Sequence, residues 1–247
     1  MSVKNIYTIL IVLVITFNFS VSNAQQFIGI SGGYGKGTFF DLASKQDYKS
    51  KYHLHNGAVF SSFYETKMDS TRFRIELQYK FQSADLEVYN NTASRHGSFY
   101  RNLNYSFQLL NLNLIFPLQL IEKKSWKMNF TLGPSLSYNT NTIAIGNGWD
   151  YRVNYQLDTT GNIINYPMIH QWEKNESKSK DLPRFSLGFD AGLEFIIPVY
   201  NKLDFIIQNR YNIFITTANV IEKIRYTSLL TGYVNFGLRY SLNKNDI

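Results

Sequence analysis

Hydrophobic and polar residues alternate with a period of two over long segments of the chain, which is typical of β-strands. In the clearest segment, residues 72–82, one face collects Phe73, Ile75, Leu77, Tyr79 and Phe81. The opposite face there is polar or charged throughout. The same alternation marks residues 126–138, 185–197, 203–213 and 230–242. These five segments predict five amphipathic strands.

Three weaker segments bring the number of predicted strands to eight. Residues 27–34 are rich in glycine, and residues 57–66 alternate with an ambiguous phase. Residues 105–118 alternate clearly, but the phase slips at Leu109-Leu110, which suggests a β-bulge in this strand.

The predicted connections alternate strictly between short and long. The short ones lie at 67–70, 119–124 and 199–202, and the long ones at 35–53, 83–103, 139–183 and 215–228. All the long connections of an up-and-down meander then emerge at one end. The longest contains a predicted hairpin, residues 151–157 returning through 163–172 with Gly161 at the turn. We expect a single domain over residues 25–247.

Alternation alone leaves open whether the apolar face is buried, as in a soluble lipocalin-like barrel, or faces lipid. Small residues such as Gly133, Gly188 and Gly237 on the polar faces suit a crowded lumen. The asymmetry of the connections and the aromatic residues near strand ends favour a membrane barrel. The predicted aromatic girdle comprises Phe73, Phe81, Trp126, Tyr138, Phe185, Phe195 and Tyr240. The sequence therefore predicts an all-β, eight-stranded antiparallel up-and-down transmembrane β-barrel with short periplasmic turns and long extracellular loops.

The lumen of an eight-stranded barrel is filled by side chains. The phases above direct ten charged residues into it: Arg72, Arg74, Glu76, Lys80, Lys127, Asp190, Glu194, Asp204, Arg210 and Arg239. The hairpin registers set Asp190 near Arg210, and Asp204 near Arg239. A gated channel or proton path is one interpretation of these charges, and we favour a structural network that plugs the barrel.

The first 24 residues have the layout of a cleaved secretory signal peptide. Lys4 precedes an apolar stretch, and Ser22-Asn23-Ala24 offers a small-x-small cleavage pattern. We therefore expect export and a location in the bacterial outer membrane. The chain has no cysteine, which excludes disulfides and thiolate metal sites.

No residue set stands out as catalytic, cofactor-binding or metal-binding. His53 and His55 form an H-x-H pair, but metal binding needs further ligands at set geometry. His96 and His170 stand alone in predicted loops. The sequence pI of about 9.3 could indicate nucleic-acid binding, but export argues against it. The basic loop residues suit anionic lipopolysaccharide better, or form an ordinary solvated surface.

Four motifs in the predicted strands are Leu110–Leu118 (LNLNLIFPL), Leu132–Tyr138 (LGPSLSY), Ala191–Phe195 (AGLEF) and Phe236–Tyr240 (FGLRY). In these motifs the chain resembles the PorT-like outer-membrane β-barrel proteins of Bacteroidota-type bacteria. One member of that family takes part in type IX secretion and gliding, so the resemblance implies an envelope role. It carries over no catalytic or ligand residue.

Three hypotheses follow for function. The first is a non-enzymatic, plugged outer-membrane barrel that anchors or assists an envelope or type IX secretion assembly, with outer-membrane lipid, lipopolysaccharide and envelope or secretion proteins as partners. The second is a standalone structural or adhesive OmpA-like barrel that contacts ligands through aromatic loop residues. These are Tyr89, Phe99, Tyr100, Trp149, Tyr151 and Trp172. The third is a lipid A-modifying enzyme, for which no nucleophile and base stand out. We expect no cofactor.

Overall fold

The fold was determined as a computed structural model of the chain. The structure describes residues 25–41, 49–68, 71–90, 99–157, 160, 163–176, 183–219 and 224–242. The predicted signal peptide, residues 1–24, therefore lies outside the described residues. In the part of the chain that is described, no helix is long and apolar enough to cross a membrane.

Ten strands make up a single antiparallel sheet in the described residues. Their bounds are β1 Gln25–Asp41, β2 Lys49–His53, β3 His55–Met68, β4 Thr71–Asn90, β5 Phe99–Lys123, β6 Trp126–Leu157, β7 Ile163–Glu176, β8 Phe185–Tyr200, β9 Leu203–Asn219 and β10 Ile224–Ser241.

Eight of these strands close into a barrel in the order β1, β3, β4, β5, β6, β8, β9 and β10. The last strand pairs with the first, from Phe27 opposite Ser241 to Asp41 opposite Thr227. Closure pairs the backbone groups of every wall strand with a neighbour on each side, which a sheet in hydrocarbon requires. The eight-stranded antiparallel barrel predicted from the alternation is confirmed.

The barrel is apolar outside and charged inside. Its outward positions expose large apolar side chains that a water-soluble barrel would bury. Among them are Ile28, Ile30, Phe60, Leu112, Leu114, Leu118, Phe130, Leu136, Leu187, Phe189, Leu193, Ile213, Phe236 and Leu238. The buried inward positions of the same strands include arginines, glutamates and asparagines. This inverted pattern is the one that a lipid environment selects.

Two strands extend the sheet beyond the barrel at the end opposite the short turns. Strand β2 pairs with the outer part of β4, and β7 pairs with β6 from Ala144 opposite Glu176 to Leu157 opposite Ile163. The structure thus contains the hairpin predicted in the longest connection, although Gly161 lies outside the described residues.

The long connections are shorter than the sequence predicts, because β4, β5 and β6 continue well beyond the membrane band. Strand β4 runs to Asn90, β5 begins at Phe99, and β6 is 32 residues long. The predicted loops at 83–103 and 139–183 are therefore mostly strand. Alternation fails to show this because outside lipid the outward face no longer has to be apolar.

The predicted bulge lies in a different strand. Inward residues of β5 keep one phase, since Tyr105, Phe107, Leu109 and Asn111 are all buried. The register shifts instead on the facing strand, where Gln108 pairs with Asn141 but Leu109 pairs with Asn139. The extra residue is thus in β6, at Thr140. The apparent slip at Leu109-Leu110 marks the level at which the barrel interior changes from apolar to polar.

We predict that Leu114→Arg destabilises the barrel, because Leu114 faces outward near the middle of the apolar band. Arginine near the bilayer midplane costs about 2–4 kcal/mol in outer-membrane barrels. Chemical unfolding in lipid vesicles measures the loss of stability.

Asn102→Arg is the matched control, because Asn102 lies on the same strand at an exposed position of the outer extension. It should leave the free energy of unfolding nearly unchanged. Equal effects of the two variants would show that the outward apolar face does not contact lipid.

Candidate functional site

The inward residues of β4 show how the barrel interior is layered. From the short-turn mouth to the outer end they are Arg72, Arg74, Glu76, Gln78, Lys80, Gln82, Ala84 and Leu86. All are buried. The interior therefore passes from charged residues through amides to an apolar layer. This succession follows directly from the order of side chains on one strand, because every second residue points inward.

A chain of alternating charges crosses the lower part of the lumen. Arg239 Nη2 lies 2.6 Å from Asp204 Oδ2, and Arg239 Nη1 donates to Glu65 Oε1 at 3.2 Å. Arg74 Nη2 donates to the other oxygen of Glu65 at 2.5 Å, and Arg74 Nη1 lies 2.6 Å from Glu194 Oε2. The chain joins residues of β3, β4, β8, β9 and β10.

Neutral amides complete the hydrogen bonds of Glu194. Gln208 Nε2 donates to Oε2 at 2.7 Å, and Asn129 Nδ2 donates to Oε1 at 3.1 Å. A carboxylate that is removed from water needs several such donors to remain ionised. Glu194 is therefore held as an anion between one guanidinium and two amides.

A second chain lies next to the first, one inward position higher on β4. Arg210 forms ion pairs with Glu76 and with Asp190, whose Oδ1 lies 2.9 Å from Arg210 Nη2. Gln78 Nε2 donates to Glu76 Oε1 at 3.1 Å. Asn212 Nδ2 lies within hydrogen-bond distance of both Asp190 and Ser135. Arg210 thus joins the walls on opposite sides of the barrel.

The structure brings together both ion pairs predicted from the hairpin registers. Arg239 and Asp204 are direct partners in the β10–β9 ladder. Arg210 lies opposite Gly192, so that its side chain reaches Asp190 diagonally. Nine of the ten predicted lumen residues point into the interior, with Arg72 and Asp204 at its lower edge.

Lys127 is the exception. The sequence predicts it inside the lumen, but its side chain is about one-third exposed and pairs with Glu122 at the short-turn rim. It is the second residue after the turn at Lys124 and Ser125, which is too low to reach the network. The hydrogen bond that Lys127 donates holds the pKa of Glu122 below its usual range.

Sequence reasoning missed Glu65, which bridges Arg74 and Arg239 and is fully buried. The phase of its strand is ambiguous in the sequence because Val59 and Phe60, and again Phe63 and Tyr64, are adjacent apolar residues. The signal that could have found it is the tight β3–β4 connection, which makes Glu65 the direct ladder partner of Arg74. With Glu65 included and Lys127 set aside, the described residues of this network comprise five carboxylates and five basic groups.

Two clusters of apolar side chains pack in the lumen beside the charged network. The larger lies toward the outer end and comprises Phe39, Ala84, Leu86, Leu103, Tyr105, Phe107, Leu109, Ala144, Phe214 and Leu229. A smaller one near the short turns comprises Phe63, Ile196 and Ile206. The larger cluster shields the ion pairs from water at the outer end, whereas Arg239 and Asp204 border a cavity at the short-turn mouth. An unpaired charge deep in this interior is costly.

Lys80 lies at the boundary between the network and the outer apolar layer. Its Nζ is 4.8 Å from the ring centroid of Tyr233 and 5.4 Å from that of Phe214. Within the described part of the chain, this atom has no hydrogen-bond partner. Aromatic faces thus take the place of a carboxylate at this level.

The seven predicted girdle residues all lie at outward or partly exposed positions. On the β6–β8 ladder, Trp126 packs on Phe195 at one end and Tyr138 on Phe185 at the other, with ring centroids 6.3 and 5.0 Å apart. At about 3.3 Å per residue and a tilt of about 40°, the strand rises about 30 Å between Trp126 and Tyr138. That distance is close to the height of the hydrocarbon layer.

The histidine pair faces carboxylates outside the barrel. His55 Nε2 lies 2.6 Å from Asp85 Oδ2, and His53 Nε2 lies 4.0 Å from Glu87 Oε2. Asn104 Nδ2 donates to the other oxygen of Asp85 at 2.5 Å. Among the residues the structure describes, no group of three or more ligands could hold a metal ion.

The predicted loop aromatics are described only in part. Trp149 is 37% exposed and lies opposite Tyr100 in the β5–β6 ladder. The side chains of Tyr89, Phe99, Tyr151 and Trp172 lie outside the described part of the structure, as do His96 and the side chain of His170.

Comparison with known proteins gives likenesses of fold only. No protein-family model matches the chain, and no curated protein matches it. Among solved structures, Pseudomonas aeruginosa outer membrane protein OprG is 13% identical over 89% of this chain and 97% of its own, with a TM-score of 0.45.

Two further barrels are similar. Neisserial surface protein A is 12% identical over 90% of this chain and 100% of its own, with a TM-score of 0.39. The Escherichia coli outer membrane protease OmpT is 7% identical over 90% of this chain and 98% of its own, with a TM-score of 0.46. At these identities and scores, we draw nothing from them about activity.

We predict that Arg74→Met strongly destabilises the barrel, because it leaves Glu65 and Glu194 buried with their shared cation removed. Breaking a buried ion pair in this way costs about 3–5 kcal/mol. Denaturant unfolding of the refolded protein in vesicles measures the change.

Lys127→Met is the control, because it removes a cation from a solvent-exposed pair worth at most about 1 kcal/mol. An Arg74→Met protein as stable as the wild type would mean that the interior ion pairs are hydrated or absent.

Proposed function

We propose that this protein is a non-enzymatic integral barrel of the bacterial outer membrane that serves as an anchor or accessory component of an envelope assembly. The observation that carries the proposal is the filled lumen, in which ion pairs, amides and apolar side chains occupy the space a channel would need. An interior built in this way makes the barrel a rigid body in the membrane. Other molecules then bind at the two ends of the barrel rather than inside it. Export through the predicted signal peptide, residues 1–24, belongs to the same proposal.

The outer extension supports a role in binding another protein. Strand β7 pairs with β6, and its other edge has no strand partner in the described part of the sheet. An open edge presents unpaired backbone donors and acceptors, to which an extended segment of a second protein can add as a further strand. The exposed side chains of Gln171, Glu173 and Asn175 leave that edge accessible.

The resemblance to PorT-like barrels agrees with such a role, since one member of that family works in secretion. A place in a type IX secretion assembly stays a prediction from that resemblance. Contact with lipopolysaccharide is part of the proposal as well, because exposed Lys36 and Lys51 carry positive charge outside the apolar band.

A second candidate is a standalone adhesive barrel. It is favoured by Trp149, which is partly exposed next to Tyr100 on the outer part of the sheet. Large aromatic side chains on an accessible surface are frequent anchors for ligands. A lipid A-modifying enzyme is the weakest alternative. His55 and Asp85 form a hydrogen-bonded pair, as the histidine and acid of such an enzyme would. The hydroxyl of the neighbouring Ser83, however, lies 3.1 Å from the hydroxyl of Ser106, so its hydrogen bond is with another serine.

We predict that the purified protein forms no stable channel in planar lipid bilayers, because buried side chains fill the lumen at every level of β4. Single-channel recording at both voltage polarities measures this, with an open porin of similar preparation as the positive control. Reproducible ohmic steps from the wild-type barrel would contradict the plugged lumen and favour a transport role.

We further predict that mild crosslinking in native outer membranes captures a stoichiometric envelope protein. The matched variant replaces residues 151–169 by Asn-Gly, which joins the ladder partners Asp150 and His170 through a two-residue hairpin turn. If the outer hairpin holds the partner, this variant folds but loses it.

Mass spectrometry of the purified complexes identifies what is captured from each strain. Recovery of the wild-type protein as a lone monomer would overturn the assembly role and favour the adhesive one. A partner retained by the shortened variant would place its binding surface on the rest of the barrel.

A further inference from the structure

The mouth of the barrel at the short-turn end forms a basic cup. The cavity has a volume of about 550 Å³, which is within the range of small-molecule sites. Six basic side chains line it: Arg72, Lys123, Lys124, Lys127, Lys202 and Arg239. Among the residues that the structure describes, the same lining contains two carboxylates, those of Glu122 and Asp204. The cup therefore has an excess of positive charge.

Both carboxylates of the cup already have cationic partners. Glu122 pairs with Lys127, and Asp204 pairs with Arg239. Lys123 lies with its Nζ 5.4 Å from the ring centroid of Trp126. Arg72, Lys124 and Lys202 are left without an ion-pair partner among the described residues, and all three border one cavity.

Arg72 differs from the arginines of the network. Arg74, Arg210 and Arg239 each contact two carboxylates. Arg72 is only 7% exposed, and within the described part of the chain its Nη1 has no hydrogen-bond partner. A buried guanidinium with an unmade hydrogen bond is costly, so the position is explained best by a partner that enters the cup.

The chemistry of the cup defines that partner. A guanidinium with two nearby ammonium groups suits a phosphate better than a single carboxylate, because phosphate accepts several charge-assisted hydrogen bonds and carries up to two negative charges. Beside these groups, Phe27, Ile196 and Pro198 form an apolar part of the lining. The site thus offers contacts for both a charged head and an apolar body.

We propose that the cup at the short-turn mouth binds a phosphate monoester attached to an apolar group, with Arg72 as the principal ligand and Lys124 and Lys202 beside it. The phosphate can belong to a soluble organic molecule or to a lipid headgroup. This site is separate from the outer hairpin, and its existence does not depend on the assembly role proposed above.

The test is calorimetric titration of the refolded mature barrel in uncharged detergent, with hexyl phosphate, hexanoate and hexanol as probes. Hexyl phosphate should bind at least tenfold more tightly than hexanoate, and hexanol should not bind. Rising salt should weaken the binding, because the contacts are ionic. A parallel titration with long-chain phosphatidate in mixed micelles distinguishes a lipid headgroup from a soluble phosphate.

Two variants locate the site. Arg72→Gln should weaken the binding of hexyl phosphate at least tenfold, and Lys124→Gln combined with Lys202→Gln should weaken it as well. The double variant changes only residues of the short turns, so it keeps the test valid if Arg72→Gln fails to refold. Lys36→Gln removes an equal charge from an exposed position outside the cup and should bind as the wild type does.

The proposal is overturned if neither phosphate probe binds the wild-type barrel. It is equally overturned if Arg72→Gln and the double variant bind hexyl phosphate as tightly as the wild type. Binding of phosphatidate alone would assign the site to a lipid headgroup, and binding of hexyl phosphate would extend it to soluble phosphates.

Discussion

Charge neutrality inside the barrel is the constraint on which the rest of the structure depends. Lipid surrounds the wall, and an apolar layer separates the lumen from water at the outer end, so charges inside the barrel need compensation by neighbouring groups. Glu65 shows how the need is met, because it accepts hydrogen bonds from Arg74 on one side and Arg239 on the other. The bond from Arg239 links β10 to β3, two strands that are far apart in sequence. The same contacts therefore neutralise charge, fix the strand register and close the barrel to solutes.

Much of the barrel follows from the sequence because a wall between lipid and a polar lumen imposes a strict period of two. The strong alternation on β4, β6, β8, β9 and β10 set the inward phase, and short turns then set the ladder partners. For this reason, the ion pairs of Asp190 with Arg210 and of Asp204 with Arg239 can be predicted from the sequence alone. The register of a tight hairpin is determined by its turn length, which is a local property of the chain.

The remaining features depend on interactions that a linear pattern does not contain. The upper lumen is apolar, so β5 carries large side chains on both faces around Leu109, and the pattern resembles a change of phase. Glu65 follows the adjacent apolar residues Phe63 and Tyr64, which break the alternation and conceal the direction of its side chain. Lys127 alternates like a lumen residue, but its height along the barrel axis places it at the rim. The function of the outer hairpin depends on the surface of a partner protein. The period-two pattern of this chain contains no information about that surface.

The extra residue at Thr140 has a consequence for how the protein can change. Below it, each residue of β6 is committed to either lipid or lumen, and a shift by one position would exchange the two environments. Above it, the register of β6 has shifted by one residue, and the strand pairs with β5 and β7 outside the apolar band. The bulge thus separates a lower segment with almost no freedom of sequence from an upper segment that can vary widely. Evolution can lengthen, shorten or replace the outer hairpin as a unit, while the membrane-embedded wall keeps its register.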